Sequence, residues 1–178
     1  FAQSDNEDYT LEEIIVTAQK TEKSLQDVPI AVSALSADDL ALRQAVRFTD
    51  LQLNVPNLSY SETNFGGSSV SIRGIGRLAT GISFDQSVTT HINESPWGEN
   101  TNVSTMFDMD RVEVLRGPQG TLFGRGTTAG LVNLVTKRPS VDTGLDGYAG
   151  FTIGEYDLKT FEGAINVPLD ENFAVRAA

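Results

Sequence analysis

The residues of this chain that could do chemistry are few. His91 is the single histidine and there is no cysteine, so multi-histidine and thiolate metal sites, disulfides and cysteine nucleophiles are excluded. A serine–histidine–acid relay on His91 lacks the G-x-S-x-G turn that presents a serine nucleophile. A histidine satisfied by its neighbours in a strand or loop is the better reading. Gly124, Gly126 and Gly130 invite a phosphate cradle, but their spacing is one residue longer than the dinucleotide fingerprint, and a β-rich run rather than a helix follows. No GK[ST] occurs. These glycines suit close backbone packing instead. Arg73 and Arg116 each stand before a glycine at the end of a predicted strand; taken alone, they are solvated cations. No catalytic residue, cofactor or resident metal is expected.

The element that must position Arg116 and the glycines is residues 111–139, RVEVLRGPQGTLFGRGTTAGLVNLVTKRP. Residues 112–115 read as a short strand. Gly117-Pro118-Gln119-Gly120 reads as a turn, because Pro presets φ and Gly supplies positive φ. The next ten residues hold too many glycines for a helix interior. Residues 131–136 form a second β-rich run, stopped by Lys137-Arg138-Pro139.

Charge and composition exclude further classes. With 13 basic and 24 acidic residues the net charge is −11, so nucleic acid, which needs clustered Lys and Arg, is not an expected partner. No apolar run reaches the roughly 18 residues a membrane helix requires. Contact with a bilayer would therefore be made by strands. The opening Phe1-Ala2-Gln3 could be the remnant of a signal-peptidase site.

Residues 1–13 carry Asp5, Glu7, Asp8, Glu12 and Glu13 without a basic residue, a composition expected to stay disordered. Ile14-Ile15-Val16-Thr17 is a short β-prone patch. Residues 28–35 (VPIAVSAL) read as the first buried strand. Ser36, with Asp39 three residues on, marks a helix start, and the helix is expected to run to about Val46. A second short helix spans residues 49–54 and ends before Pro56. Strands are expected at 58–60 and 87–93, a strand running into a turn at 70–76, and one helical turn at 106–110. From Tyr148 the periodicity changes. Ala149, Phe151 and Ile153, then Phe161, Gly163, Ile165 and Val167, then Phe173, Val175 and Ala177 alternate with the opposite set, on which Arg176 lies. Such alternation fits a soluble antiparallel sheet with one wet face, or a transmembrane β-barrel.

Residues 112–139, with VEVLRGPQGTLFG, the glycine-rich turn and NLVTKRP, closely resemble the end of the plug of TonB-dependent outer-membrane receptors. Residues 72–74 match the family's IRG motif. The resemblance implies an α+β plug domain, with a small mixed β-sheet and two or three short helices, followed by the first antiparallel strands of a transmembrane β-barrel. Residues 1–23 would be a flexible acidic extension, 24–139 the plug, and 140–178 a linker and the first wall strands. Three strands cannot close in lipid, so a longer transporter is implied, of about 22 strands.

The resemblance also implies functional residues. Leu11, Glu12, Glu13, Ile14, Ile15, Val16, Thr17 and Ala18 look like a TonB box, a free extended segment suited to adding a strand to a partner's sheet edge. The partner would be the periplasmic C-terminal domain of TonB. In the family, the arginines of IRG and LRGP pair with glutamates of the inner barrel wall, which assigns Arg73 and Arg116 as plug–barrel latches, with Glu113 in their network. Loops carrying Tyr60, Asn64, Phe65, Phe84, His91 and Trp97 would face a bulky ligand. Residues 87–98 depart from the family's YVDGV-like pattern, reading THINES at 90–95. The implied function is import of a ferric siderophore, or alternatively of a saccharide or other organic solute, through a barrel surrounded by outer-membrane lipid. A soluble binding module outside any membrane is the reading of another class.

Overall fold

The computed structural model describes residues 14–18, 20–62, 68–76, 86–97 and 106–178. Within them the chain opens with a small antiparallel pair, β1 (Ile15–Val16) and β2 (Lys23–Ser24), and a 3-10 turn at Leu25–Asp27. Strand β3 (Ala31–Ser36) runs directly into helix α1 (Ala37–Leu42). Ser36 Oγ accepts the Asp39 N–H at 3.2 Å, and the Asp39 carboxylate accepts the Ser36 N–H at 3.3 Å. That is the expected capping box. The helix stops four residues earlier than expected. Gln44 turns left-handed (φ +52°), the Ala45 N–H donates to the Leu40 carbonyl and the Gln44 N–H to that of Ala41. This Schellman closure keeps Leu40 and Ala45 together in the core.

A 3-10 turn at Phe48–Asp50 leads into α2 (Leu51–Asn54), which ends ahead of Pro56 as expected. Strands β4 (Leu58–Glu62), β5 (Ser68–Ile72) and β6 (Ile75–Gly76) form a three-stranded sheet. Its β5–β6 turn places Arg73 and Gly74 at φ +56° and +75°, the two positive values that a tight primed hairpin requires.

The central sheet is built from β3, β7 (Val88–Ile92), β8 (Ser95–Pro96), β9 (Met109–Arg116) and β10 (Gly130–Thr136), in the order β3-β9-β10-β7-β8. β10 pairs with β7 in parallel, and the other pairs are antiparallel. The sheet is therefore mixed, as expected. Val112, Val114, Val132 and Leu134 bury one face with Leu35, Leu40, Phe48, Leu51, Leu58 and Ile72. Leu115 and Leu131 bury the other with Val16, Ala18, Val28 and Phe123. Burial on both faces explains why residues 131–136 read as a nearly continuous apolar run. Between β9 and β10 the glycines permit one helical turn after all, α3 (Gly120–Phe123), which Gly124 ends at φ +82°.

The helical turn expected at 106–110 is not there. Asp108 has φ +49°, and Met109 already pairs with Thr136 as the first residue of β9. A left-handed residue in mid-turn rules out a helix. The chain ends in an antiparallel meander of β11 (Asp146–Ile153), β12 (Lys159–Asp170) and β13 (Phe173–Ala177).

Candidate functional site

Residues 14–18 are docked, not free. Val16, Thr17 and Ala18 are buried, and they lie on the face of the central sheet that carries Glu113. The Glu113 side chain is 0% exposed. Its Oε1 accepts the Thr17 N–H at 2.8 Å, and its two oxygens accept the Thr17 hydroxyl at 3.1 and 3.2 Å. Arg111 Nε donates to Oε1 at 2.8 Å and Asn133 Nδ2 to Oε2 at 3.3 Å. A carboxylate taken out of water needs donors of this kind in place of its hydration. Burial alone would lower the Arg111 pKa, but the contacts with Glu113 and Asp110 outweigh it and hold it above its ordinary value.

Glu113 therefore serves a different role from that expected beside the arginines. Arg116 lies three positions further along, an odd step in a strand, so the two side chains leave opposite faces of the sheet. Arg116 donates to Ser33 Oγ at 3.0 Å, and its Nε is buried without a partner among the described residues. Arg73 is exposed at its turn.

The polar row continues across the sheet. Asn133 lies opposite Glu113 on one side and His91 on the other. Its Oδ1 accepts the Glu94 N–H at 3.0 Å. Asn93 and Glu94 form the β7–β8 turn at φ +49° and +67°, conformations that a glycine adopts more readily. Here the turn is held from outside: Asn133 takes the Glu94 N–H, and His91 Nδ1 donates to the Glu94 carbonyl at 3.1 Å. With Nδ1 donating, Nε2 accepts from Thr89 Oγ1 at 3.2 Å. These contacts account for the sequence's departure from an Asp-Gly turn.

His91 is turned inward, away from solvent. It is 2% exposed and packs edge-on against Phe123 at 5.4 Å, beneath the covered face. The alternation of β7 turns it inward with Thr89. Burial depresses its pKa; the Glu94 carbonyl opposes this and the Lys20 ammonium reinforces it. The folded chain thus binds this proton less readily than the unfolded one, so stability is complete above the unfolded value of 6.5 and declines as the pH falls below it. Thermal melts at pH 7.5 and 5.5 should show a smaller acid loss in His91→Gln than in the parent.

Trp97 is 44% exposed. Tyr60 is partly buried, its ring 5.2 Å from that of Phe48. Leu11, Glu12, Glu13, Asn64, Phe65 and Phe84 lie outside the described residues.

The meander has two chemically distinct faces. Phe151, Ile153, Phe161, Ile165, Phe173 and Val175 are exposed on one. The other face meets the central unit. Arg176 donates Nε to Asp108 Oδ2 at 2.7 Å and Nη2 to Oδ1 at 2.5 Å, with Tyr148 Oη 3.5 Å from Oδ1. Both side chains of the ion pair are under 10% exposed, at 9% and 7%. On the same face Asn166 is buried and fastens the connecting segment. It accepts the Ser140 N–H at 3.0 Å, and its Nδ2 lies within 3.3 Å of the Ser140 carbonyl, Thr143 Oγ1 and the Gly144 carbonyl.

Residues 24–131, more than half of the chain, match the TonB-dependent Receptor Plug Domain family. The chain belongs to this family of TonB-dependent receptor plug domains. The chain is similar to the pesticin receptor of Yersinia pestis, 28% identical over 71% of this chain and 19% of the relative, and to the iron-regulated outer membrane virulence protein of Vibrio cholerae, 30% identical over 72% and 20%. This chain thus spans about a fifth of the length of those relatives. The fold is shared with the ferric yersiniabactin uptake receptor of Yersinia pestis, at TM-score 0.72 and 24% identity over 83% of this chain and 23% of that one. It is shared equally with the pyoverdine receptor of Pseudomonas aeruginosa, at TM-score 0.72 and 19% identity over 88% and 22%.

With the plug in place, Asp108 and Arg176 stand out as an ion pair between the plug and the meander that sequence reasoning missed. The signal available was Arg176 itself, a lone cation opposite the apolar set of its strand; nothing local pointed to Asp108. The Arg176 fork holds the Asp108 carboxyl below its ordinary range, so the contact is complete above pH 3.8 and is lost as the pH falls through the depressed value. Arg176→Ala should cost about 3 kcal/mol, because it leaves a buried carboxylate unpaired. Arg176→Lys should recover part of this, keeping the charge but losing the planar fork. The loss should appear as faster proteolysis of the plug in the variant receptor.

Proposed function

We propose that this plug closes the lumen of a TonB-dependent outer-membrane importer, and that the cargo is a ferric siderophore. The observation that carries the reading is the plug seated against the polar face of the meander while the other face is apolar and exposed. That arrangement suits a barrel wall, with plug inside and lipid outside. The iron-related names of the relatives support the choice of cargo over a saccharide. Import of this kind uses no covalent chemistry. Ligand bound on the outer side of the plug biases it toward a state in which residues 11–18 can be taken up, as an added strand, by the periplasmic C-terminal domain of TonB. Pulling on that strand then remodels the plug.

Arg73 and Arg116 remain the residues proposed to pair with wall glutamates. What supports this for Arg116 is its buried Nε, a donor that the described residues leave unmatched.

Growth of a deletion strain tests the cargo. The strain should lose growth on ferric-siderophore iron under iron limitation and keep growth on oligosaccharides as carbon source. The reverse pattern would favour a saccharide importer. Recovery of the full-length protein in the soluble fraction would exclude both.

A further inference from the structure

The pairing of β1 and β2 fixes which way each backbone group points. Ile15 faces Ser24, Val16 faces Lys23, and the Leu25 N–H donates to the Ile14 carbonyl at 2.9 Å. Hydrogen-bonded and non-hydrogen-bonded pairs alternate along an antiparallel ladder. Ile14 and Val16 therefore aim their backbone groups at β2, and Ile15 and Thr17 aim theirs away from it. The outward side is the edge to which another strand could add. On that edge the Thr17 N–H is taken by Glu113 Oε1 at 2.8 Å, and the Thr17 carbonyl accepts the Lys20 N–H at 2.8 Å.

We infer that Glu113 is the clasp of the N-terminal strand: its buried carboxylate occupies the Thr17 N–H on the edge a partner strand would use, so strand addition through Thr17 and the Glu113 contacts exclude each other. The inference rests on the strand-addition reading above. It adds the residue that opposes addition, on the far side of the sequence.

Two features make this a two-position device and not simply a core contact. First, all three Glu113 contacts to the segment converge on one residue, Thr17, through its amide and its hydroxyl. Breaking them frees Thr17 from the buried charged group that holds it. Second, Glu113 is not abandoned when Thr17 leaves. Arg111 and Asn133 still donate to it, and water enters where the segment lay, so the open state carries no unpaired buried charge. Asn133 is then a positioning residue. It steadies the carboxylate with its amide and the Asn93–Glu94 turn with its carbonyl, so a shift of that turn is felt at the clasp.

The test uses the full-length receptor without ligand, carrying Glu113→Gln or Thr17→Val, and the purified C-terminal domain of TonB as probe. Gln keeps the shape and loses the charge; Val removes the hydroxyl and leaves the strand's amides in place. Amide exchange across residues 14–18 should be about tenfold faster in both variants, the equivalent of roughly one lost charge-assisted hydrogen bond. The TonB domain should bind both more tightly than the parent by a similar factor. Exchange across residues 130–136 reports the core and should be unchanged. Should Glu113→Gln loosen residues 130–136, Thr17→Val, which leaves Glu113 in place, decides alone. Exchange and affinity within about twofold of the parent in the deciding variant, with the core intact, would overturn the clasp. Faster exchange with no binding of the TonB domain to any form would uphold the clasp and overturn the strand-addition reading.

Discussion

Ile15→Pro is expected to abolish ligand uptake by the full-length receptor while ligand binding and the plug's fold persist. The pairing of β1 with β2 makes the substitution unusually selective. Ile15 stands opposite Ser24 in the non-hydrogen-bonded pair, so its N–H contributes nothing to the β1–β2 ladder and proline removes no bond from the docked state. The same N–H points toward the edge where a partner strand would add, and there its loss deletes a ladder donor. The Ile15 side chain is 47% exposed, so little apolar burial is lost either. Transport of radiolabelled iron chelate and equilibrium binding of the same chelate, measured side by side, separate the two effects. Normal transport in this variant would rule out strand addition at this site.

The largest structural effect is expected at Gly130. In Gly130→Val the plug should fail to reach its protease-resistant state, a loss of at least about 4 kcal/mol. Gly130 has φ +150° and sits between β9 and β7, opposite Arg116 and Val88. A Cβ at this position would collide with the Leu115 carbonyl oxygen and lie 2.9 Å from Ile72 Cδ1. The first is backbone of the central strand and cannot move aside; the second is the tip of a core side chain and would have to repack. Gly120 is the control. Nothing lies within 4 Å of a Cβ there, and Gly120→Ala, in the single turn of α3, should leave protease resistance within the range of an ordinary surface change. Limited trypsin digestion of outer membranes carrying each variant reads both outcomes.

The contrast between these glycines shows what a sequence can and cannot disclose. The glycine-rich run between two β-prone stretches was legible as a tight connection, and the capping pair Ser36 and Asp39 as a helix start, because both are local patterns. The mixed sheet and short helices followed from the family resemblance. Which glycine is sterically obligatory was not legible, since the atoms that exclude a side chain at Gly130 belong to β9 and β5. The same limit explains the errors. Residues 11–18 read as a free segment, and its described part, 14–18, is docked because the residue that holds Thr17 lies 96 positions away. Residues 106–110 read as a helical turn because the partner of Asp108 is 68 positions later. The resemblance places His91 on a ligand-facing loop, whereas the strand register sets it in a buried row with Asn133 and Glu113. In the first two cases a long-range polar contact overrides a local propensity; in the third it is the pairing of β7 with a distant strand, β10, that fixes the orientation.

The order of strands in the central sheet carries a mechanical consequence. Tension on the N-terminus travels along the chain to β3, a rim strand bonded on one side only, to β9. The strand nearest the exit toward the meander, β10, is bonded on both sides, and the segment beyond it is pinned by Asn166. Once residues 14–18 have left, a steady pull therefore meets within this sheet a strand bonded on one side first and one bonded on both sides last. The sheet would peel from one margin, baring the flank of β9, while the rest of the stopper stays moored.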